Sequence, residues 1–551
     1  MKKLFSVILI ASYLFSAEIP VNINNDIYPF LMRMENKNLL SLNAAIYPFT
    51  RNQIAKILKE ISGKSNQLSQ SEIKLLKEYS ADYRKELKTH YHEDLEIQDN
   101  GMLVPFFSEN GLRRVAKNLL SRKNNTEASH LFIYENDDFF IWGDANIKIG
   151  QQYKNEHSRQ FLSDRYLLQA GLNKHLYFHI DFFRYQRENN PDYPELTDEE
   201  KGIWTNTEGG ENVTFDNVYT SFVYNYNNLN VGLYHQPLTW GTSFNNSLIL
   251  TGSASPFTYL GFDFNYKALR FSFIHGSLLN DSTKFKSVEP YTKNMEKYVA
   301  GHRIDLALFG GTTRIGLTEM IVYGNRNIEP GYLLPVNFYW SLEHTLMDRD
   351  NSLMAFDFQT NAIPHFTFYG TFFLDEMRFS EFFNDWWANK HGLQLGARFS
   401  NEIFSLPMNW NAEMTHLRPW TYTHKNFINN YTNNGLSLGF PYGGNSRLYE
   451  FTNETWVNRR TRIKLGYTHL EHGYDNENGF FGGDPTISYE MRNNELDNAT
   501  NWLMGDIQTF NYFTVDLRYE IYNDSYINLE IIKHFDHEND LFINTGISLD
   551  F

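Results

Sequence analysis

The chain has 551 residues, no cysteine, 65 acidic against 49 basic side chains, and 16% aromatic residues, including 35 Tyr and 45 Phe. The lack of cysteine excludes disulfides and Cys-ligated zinc or iron–sulfur centres, and the net charge of -16 argues against a nucleic-acid partner. A mean hydropathy of -0.49 conflicts with so many aromatics buried in soluble cores; strands alternating apolar and polar faces resolve the conflict, because averaging hides the apolar face.

Lys2 and Lys3 followed by the apolar stretch Leu4 to Leu14 form a secretory signal pattern, too short to cross a bilayer comfortably. Cleavage is expected near Ala17, so residues 1–17 are read as a signal peptide. No second long apolar run follows, which excludes helical membrane insertion. Ile27, Phe30, Leu31 and Met34 then fall at i, i+3, i+4 and i+7 of a helix. Thr50 with Gln53, and Ser69 with Glu72, have capping-box spacing. They precede the stripes Ile54, Ile57, Leu58, Ile61 and Ile73, Leu76, Tyr79, Tyr83. A shorter stripe, Leu112, Val115 and Leu119, comes next. Residues 18–130 are therefore read as a helical module, placed on the periplasmic side because it precedes the first strand.

From about Phe132 the period changes to two. Ala145, Ile147 and Ile149 alternate with Asp144, Asn146 and Lys148, and similar segments recur at Val218 to Val223, Ile304 to Leu308 and Arg462 to Tyr467. Polar, turn-rich stretches such as Asn189 to Glu200 and Gly479 to Pro485 separate them. Near the end, Phe513, Val515, Leu517, Tyr519 and Ile521 alternate with polar residues, as do Leu541, Ile543, Thr545, Ile547, Leu549 and Phe551. A terminal Phe closing such a strand resembles the C-terminal signature of bacterial outer-membrane proteins. The fold class is thus mainly β: a large antiparallel transmembrane β-barrel over 131–551, of about 18 strands at roughly 20–25 residues per strand and connection. A soluble multi-sheet protein is the competing architecture.

Gly435-Leu-Ser437-Leu-Gly439 matches the nucleophile-elbow pattern, which needs a strand-to-helix turn on a parallel sheet; a Gly-rich loop is the simpler reading. His90 with His92 and His534 with His537 are pairs, and metal binding needs three or four convergent groups. The carboxylates Glu319, Glu343, Asp348, Asp350, Asp357, Asp375 and Glu376 allow a two-carboxylate glycosidase, but a polar lumen would pair them with Arg303, Arg314, Arg349 and Arg378. Adjacent on a strand, Asp375 and Glu376 are expected on opposite faces. Trp240, Trp340, Trp386, Trp387 and Trp420 suit interfacial girdles or stacking on sugar rings.

The segments GHRIDLALFGGTTRIGLTEMIVYG (301–324), GYLLPVNFYWSLEHTLMDRDNSLMAFDF (331–358) and FYGTFFLDEMRF (368–379) resemble the Wzi family of capsule-assembly proteins. WNAEMTHLRPWTYTHKNFINNYTNNGLSLGFPYGGNSR (410–447) and, near the start, IYPFLMRMENKNLL and YPFTRNQIAKIL are similar to it as well. The resemblance implies a lectin-like outer-membrane barrel that retains capsular or exopolysaccharide, with the N-terminal helices plugging its periplasmic mouth. It implies no catalytic residue, no metal and no cofactor. Its other partners would be outer-membrane lipids and the barrel-assembly machinery, with the chain a monomer. The candidates for glycan contact or a lumen charge network are His302, Arg303, Asp305, Glu319, Tyr323, Trp340, Glu343, Asp350, Asp357, Asp375, Glu376 and Arg378. A diffusion channel and an outer-membrane hydrolase are the alternatives.

Overall fold

A computed structural model describes residues 19–42, 46–83, 86–87, 131–135, 138–173, 175–193, 200, 210–243, 245–280, 296–381, 384–458, 460–522, 525–536 and 539–550. The signal-like residues 1–17, the stripe Leu112, Val115 and Leu119, the boundary near 130, His90, His92, His537 and the terminal Phe551 lie outside the described residues.

Helix α1 (Ile27–Asn36) fully buries Ile27, Phe30, Leu31 and Met34, the four positions its periodicity puts on one face. Helices α2 (Arg51–Ser62) and α3 (Gln70–Asp82) start at the two capping boxes. Thr50 Oγ1 accepts from Gln53 N–H and Ser69 Oγ from Glu72 N–H, while the Gln53 and Glu72 side chains accept from the cap N–H groups. These bonds satisfy donors that a first helical turn leaves unpaired. Ile54, Ala55, Leu58 and Leu76 pack with α1, Tyr47 and Phe49 in one core.

Among the described residues, eighteen antiparallel strands close into a barrel. The first six are β1 (Phe139–Lys154), β2 (His157–Leu172), β3 (Leu176–Glu188), β4 (Asn212–Tyr226), β5 (Leu229–Gln236) and β6 (Phe257–Tyr266). Next come β7 (Leu269–Leu278), β8 (Lys297–Leu308), β9 (Thr313–Gly324), β10 (Asn351–Thr360), β11 (Phe366–Glu376) and β12 (Lys390–Ile403). The circuit ends with β13 (Leu406–Leu417), β14 (Ser446–Asn458), β15 (Thr461–Tyr474), β16 (Asp506–Tyr522), β17 (Ser525–His534) and β18 (Leu541–Asp550). β18 returns to β1, from Phe542↔Lys154 to Asp550↔Asn146. The short strand Phe132–Glu135 continues that seam, pairing from Phe132↔Gly143 to Glu135↔Phe140. Closure leaves no open sheet edge, as a backbone in hydrocarbon requires.

One end of the barrel carries short turns, such as 227–228, 267–268 and 404–405; the other carries the long segments 189–211, 237–256, 325–350, 418–445 and 475–505. Asn173 and Asn227 adopt positive φ in the short turns, which asparagine tolerates better than most residues. Along each strand the faces alternate. Ile147, Ile149, Phe178, Leu233, Ile304, Leu317, Phe356 and Ile547 are exposed on the outside, whereas Asp181, Arg303, Asp305, Asp357 and Gln394 are buried inside.

The helices dock on the short-turn end. Arg33 donates to the carbonyls of Asn401 and Met408, each at 2.9 Å, Ser71 to that of Ser405 at 2.9 Å, and Asn361 to that of Glu35 at 2.9 Å. The preceding residue Asp26 reaches into the lumen, where it pairs with Arg462 at 2.8 Å and Arg518 at 2.6 Å.

Candidate functional site

Three pieces of chain obstruct the lumen. The helices form a floor. Segment 237–256 folds inward between β5 and β6, where Thr239–Trp240 pairs with Leu250–Thr251 on one side and with Ile46–Tyr47 on the other. Its Trp240, Leu248, Ile249 and Leu250 bury against inward residues of β8 to β11, among them Val299, Met320, Val322, Leu353 and Phe373. At roughly 1.5–3 kcal/mol per fully buried large apolar side chain, this contact holds the segment firmly in the barrel. Segment 418–445 then closes over it: Tyr422 Oη donates to Leu248 O and Tyr431 Oη to Ile249 O, both at 2.8 Å. Trp240 is thus a lumen residue and not part of a girdle, because the loop that carries it turns inward.

A cavity of about 800 Å³ remains beside this plug, floored by Tyr28, Pro29 and Met32 and walled by strands β12 to β18 and β1. Its wall mixes Glu413, Glu450, Glu454 and Asp516 with Arg398, Arg462, Lys464 and Arg518. The closest couple there is Arg462 and Glu454 at 2.8 Å. These charged groups stand beside apolar and aromatic side chains such as Met32, Trp410 and Phe542, so the cavity wall is amphipathic.

The twelve candidate residues, grouped in the sequence as one network, occupy three places. Arg303, Asp305 and Asp357 are in the lumen: the Arg303 guanidinium donates to Asp305 at 2.9 and 2.6 Å and to Asp357 at 2.6 and 2.8 Å, and also to Thr318 Oγ1 at 2.8 Å. All five N–H donors are spent on neighbours, so this cluster is a rigid brace. His302, Glu319 and Tyr323 lie on the outer wall instead, because residues adjacent to inward-facing Arg303 and Thr318 must face outward. There His302 Nε2 is 3.1 Å from Glu319, whose two oxygens accept from the N–H groups of Tyr339 and Trp340 at 2.9 and 2.6 Å. Those residues open helix α4 (Tyr339–Thr345), part of segment 325–350, which folds down over the outside of β7 to β9. Asp350 anchors the same segment through Arg326 at 2.7 and 2.6 Å and Tyr332 Oη at 2.8 Å; Trp340 and Glu343 belong to it.

Asp375, Glu376 and Arg378 form the third group, at the long-loop mouth. Asp375 and Glu376 do not point apart: a β-bulge between Leu374 and Glu376 turns both toward Lys390 Nζ, at 3.1 and 3.2 Å. Lys390 also donates to Thr423 O at 2.8 Å, and Asp375 accepts from Tyr422 N–H at 2.6 Å, tying segment 418–445 to the rim. Near it His424 is buried, and burial together with the Lys390 and Lys425 charges pushes its imidazole down to about 3.

Three long segments meet at this rim in an aromatic cluster. Trp387 and Trp420 are its buried base, with Trp386, Phe480 and Tyr489 partly exposed on top. Arg492 stacks 3.8 Å from the Trp387 centroid and Arg378 4.6 Å from that of Trp386. Arg492 and Lys390 escaped the sequence reading, since nothing local distinguishes them; only the meeting of three distant loops does. Ser437 sits in a two-residue hairpin, paired with Thr432, and its buried hydroxyl has no hydrogen-bond partner among the described residues. That is not the strand-to-helix elbow its motif requires. Among the described residues, no group of three or more His, Asp and Glu side chains is arranged to hold a metal ion.

The profile of the family described as capsule assembly protein Wzi matches residues 124–540. Among solved structures, the Escherichia coli outer-membrane protein Wzi, described as a carbohydrate-binding β-barrel involved in group 1 capsule assembly, superposes with a TM-score of 0.57 at 12% identity. That match covers 98% of this chain and 100% of the other. The Pseudomonas aeruginosa barrels OccK2, in complex with glucuronate, and OpdK, with vanillate, align over 75% of this chain and 96% and 98% of theirs. Both are 8% identical, with TM-scores of 0.40 and 0.41. A search of curated protein sequences finds no match. With the family profile spanning most of its length and the barrel closed as described, the chain belongs to the Wzi family of capsule assembly proteins and is an outer-membrane β-barrel.

Proposed function

We propose that this barrel attaches capsular or exopolysaccharide to the cell surface as a non-enzymatic, lectin-like protein. The observation that carries the reading is the family match over residues 124–540. The obstructed lumen supports it, since a plug, a lid and a helical floor are obstacles a diffusion channel would not carry. In this reading residues 18–130 are the periplasmic module, and the long loops face outward from the cell. Glycan contact is assigned to the rim cluster, where Trp386 and Tyr489 offer partly exposed rings beside Arg378 and Arg492. The brace at Arg303 is assigned a structural role only.

The test is binding of the purified full-length barrel to polysaccharide extracted from the same cells, with dextran as control. Saturable binding to the native glycan, weakened about tenfold in Trp386→Ala, is expected. Equal binding to dextran, or ion conductance of an open-pore size in planar bilayers, would favour a channel instead.

A further inference from the structure

Strand alternation turns Phe273, Ala300, Ile321 and Tyr323 outward, yet all four are buried, because segment 325–350 lies over them. The other side of that segment is bare. Leu334 is 57% exposed, Val336 86% and Phe338 52%, with Trp340 about as open. Residues 333–342 read LLPVNFYWSL, without one charged side chain. Held in water, such a run would be an unusual apolar patch.

Its height on the barrel gives the run a different solvent. Glu319, which anchors Tyr339 and Trp340, lies midway along β9. From the short-turn end to Glu319 is about 20 Å of strand, or about 15 Å along the membrane normal at a tilt of about 40°. An apolar band about 25 Å tall therefore reaches past it. The outward belt of Ile304, Leu317 and Phe356 is exposed directly below, on the same strands. Much of the segment's backbone polarity is already paired within the protein, which lowers the cost of immersion in hydrocarbon. Besides the two N–H groups that Glu319 accepts, Asn337 N–H reaches Leu334 O at 3.1 Å, Asn337 Nδ2 reaches Gly331 O at 3.1 Å, and Leu342 N–H reaches Phe338 O at 3.0 Å.

We propose that residues 333–342 are immersed in the outer leaflet, lying along the barrel wall with their exposed face in contact with lipid acyl chains. The segment screens the His302–Glu319 pair from hydrocarbon and continues the apolar belt outward from the barrel. It is a lipid-contact element separate from the rim cluster and independent of glycan binding.

The cysteine-free chain makes the test direct. Val336→Cys and, separately, Phe338→Cys are labelled with bimane in the full-length protein and reconstituted into phospholipid vesicles. Leu317→Cys serves as the lipid-facing control and Asn478→Cys, in an exposed loop, as the aqueous one. Both labelled positions are expected to be quenched by acyl-chain doxyl lipids to within about twofold of Leu317→Cys, and shielded from iodide. Quenching by iodide at the level of Asn478→Cys overturns the proposal in favour of a water-facing loop. Shielding from both quenchers overturns it in favour of a protein partner or second copy. Retained heat-modifiable migration of each variant shows that the barrel is folded.

Discussion

At the scale of single residues, the lumen brace depends on an atom that is absent. Gly316 lies between Asp305 and Asp357 in register, and a Cβ there would fall 2.2 Å from Arg303 Nη2 and 2.8 Å from Asp357 Oδ1. Gly316→Ala must displace a guanidinium that has two carboxylates to satisfy, and breaking a buried pair costs roughly 3–5 kcal/mol. Urea unfolding of the reconstituted barrel should register a loss of a few kcal/mol, whereas Gly310→Ala, with open space around it but a φ of 70°, should cost only the roughly 1–2 kcal/mol of left-handed backbone strain. His424 sets a pH dependence. Folded, its pKa is about 3 against 6.5 when unfolded, so the unfolded segment takes up a proton that the folded one refuses. Local stability is whole above 6.5 and falls as pH drops from there toward 3, by on the order of 2 kcal/mol at pH 5. Amide exchange in 418–445 should accelerate accordingly at pH 5, and His424→Gln should flatten the dependence; an equal acceleration in that variant would assign it to another group.

At the scale of elements, local signals were legible and distant ones were not. The caps at Thr50 and Ser69 and the stripe Ile27, Phe30, Leu31, Met34 depend on neighbours within one or two turns, so spacing alone located them. Strands are equally local, since period two is written in each one. The directions taken by segments 237–256 and 325–350 are not. Both contain an apolar run, and whether they fold into the lumen or over the wall depends on partners at Val299, Met320 and Ile321 that carry no mark of it. The candidate list shows the same limit: His302 and Arg303 are adjacent, so no single network could hold both, yet alternation does not say which one faces in. The docked helices offer a test at this level. Arg33 and Glu72 are buried 2.7 Å apart. Burial works against a charged Glu72, and the Arg33 and Lys37 charges override it, holding the carboxyl below its ordinary value. Glu72→Gln would leave Arg33 short of a counter-charge at the barrel turns, costing roughly 3 kcal/mol. Protease cleavage within α2 and α3 is expected to speed up while the barrel keeps its heat-modifiable migration; unchanged cleavage would mean the helices are held mainly by their apolar core.

At the scale of the whole molecule, a closed sheet supplies a rigid wall, and loops give each surface its task. Chain inside the wall obstructs passage, chain at the rim gathers aromatic rings beside arginines, and chain outside it meets the bilayer. Such a molecule is built to hold something at the surface more than to let something through. The most direct measurement is the ratio of cell-bound to shed polysaccharide after deletion of the gene, with the full-length chain restored from a plasmid. The proposed function requires polysaccharide to move from the cell-bound to the shed fraction on deletion and to return on complementation, with total synthesis unchanged. An unaltered ratio in the deletion strain would contradict it.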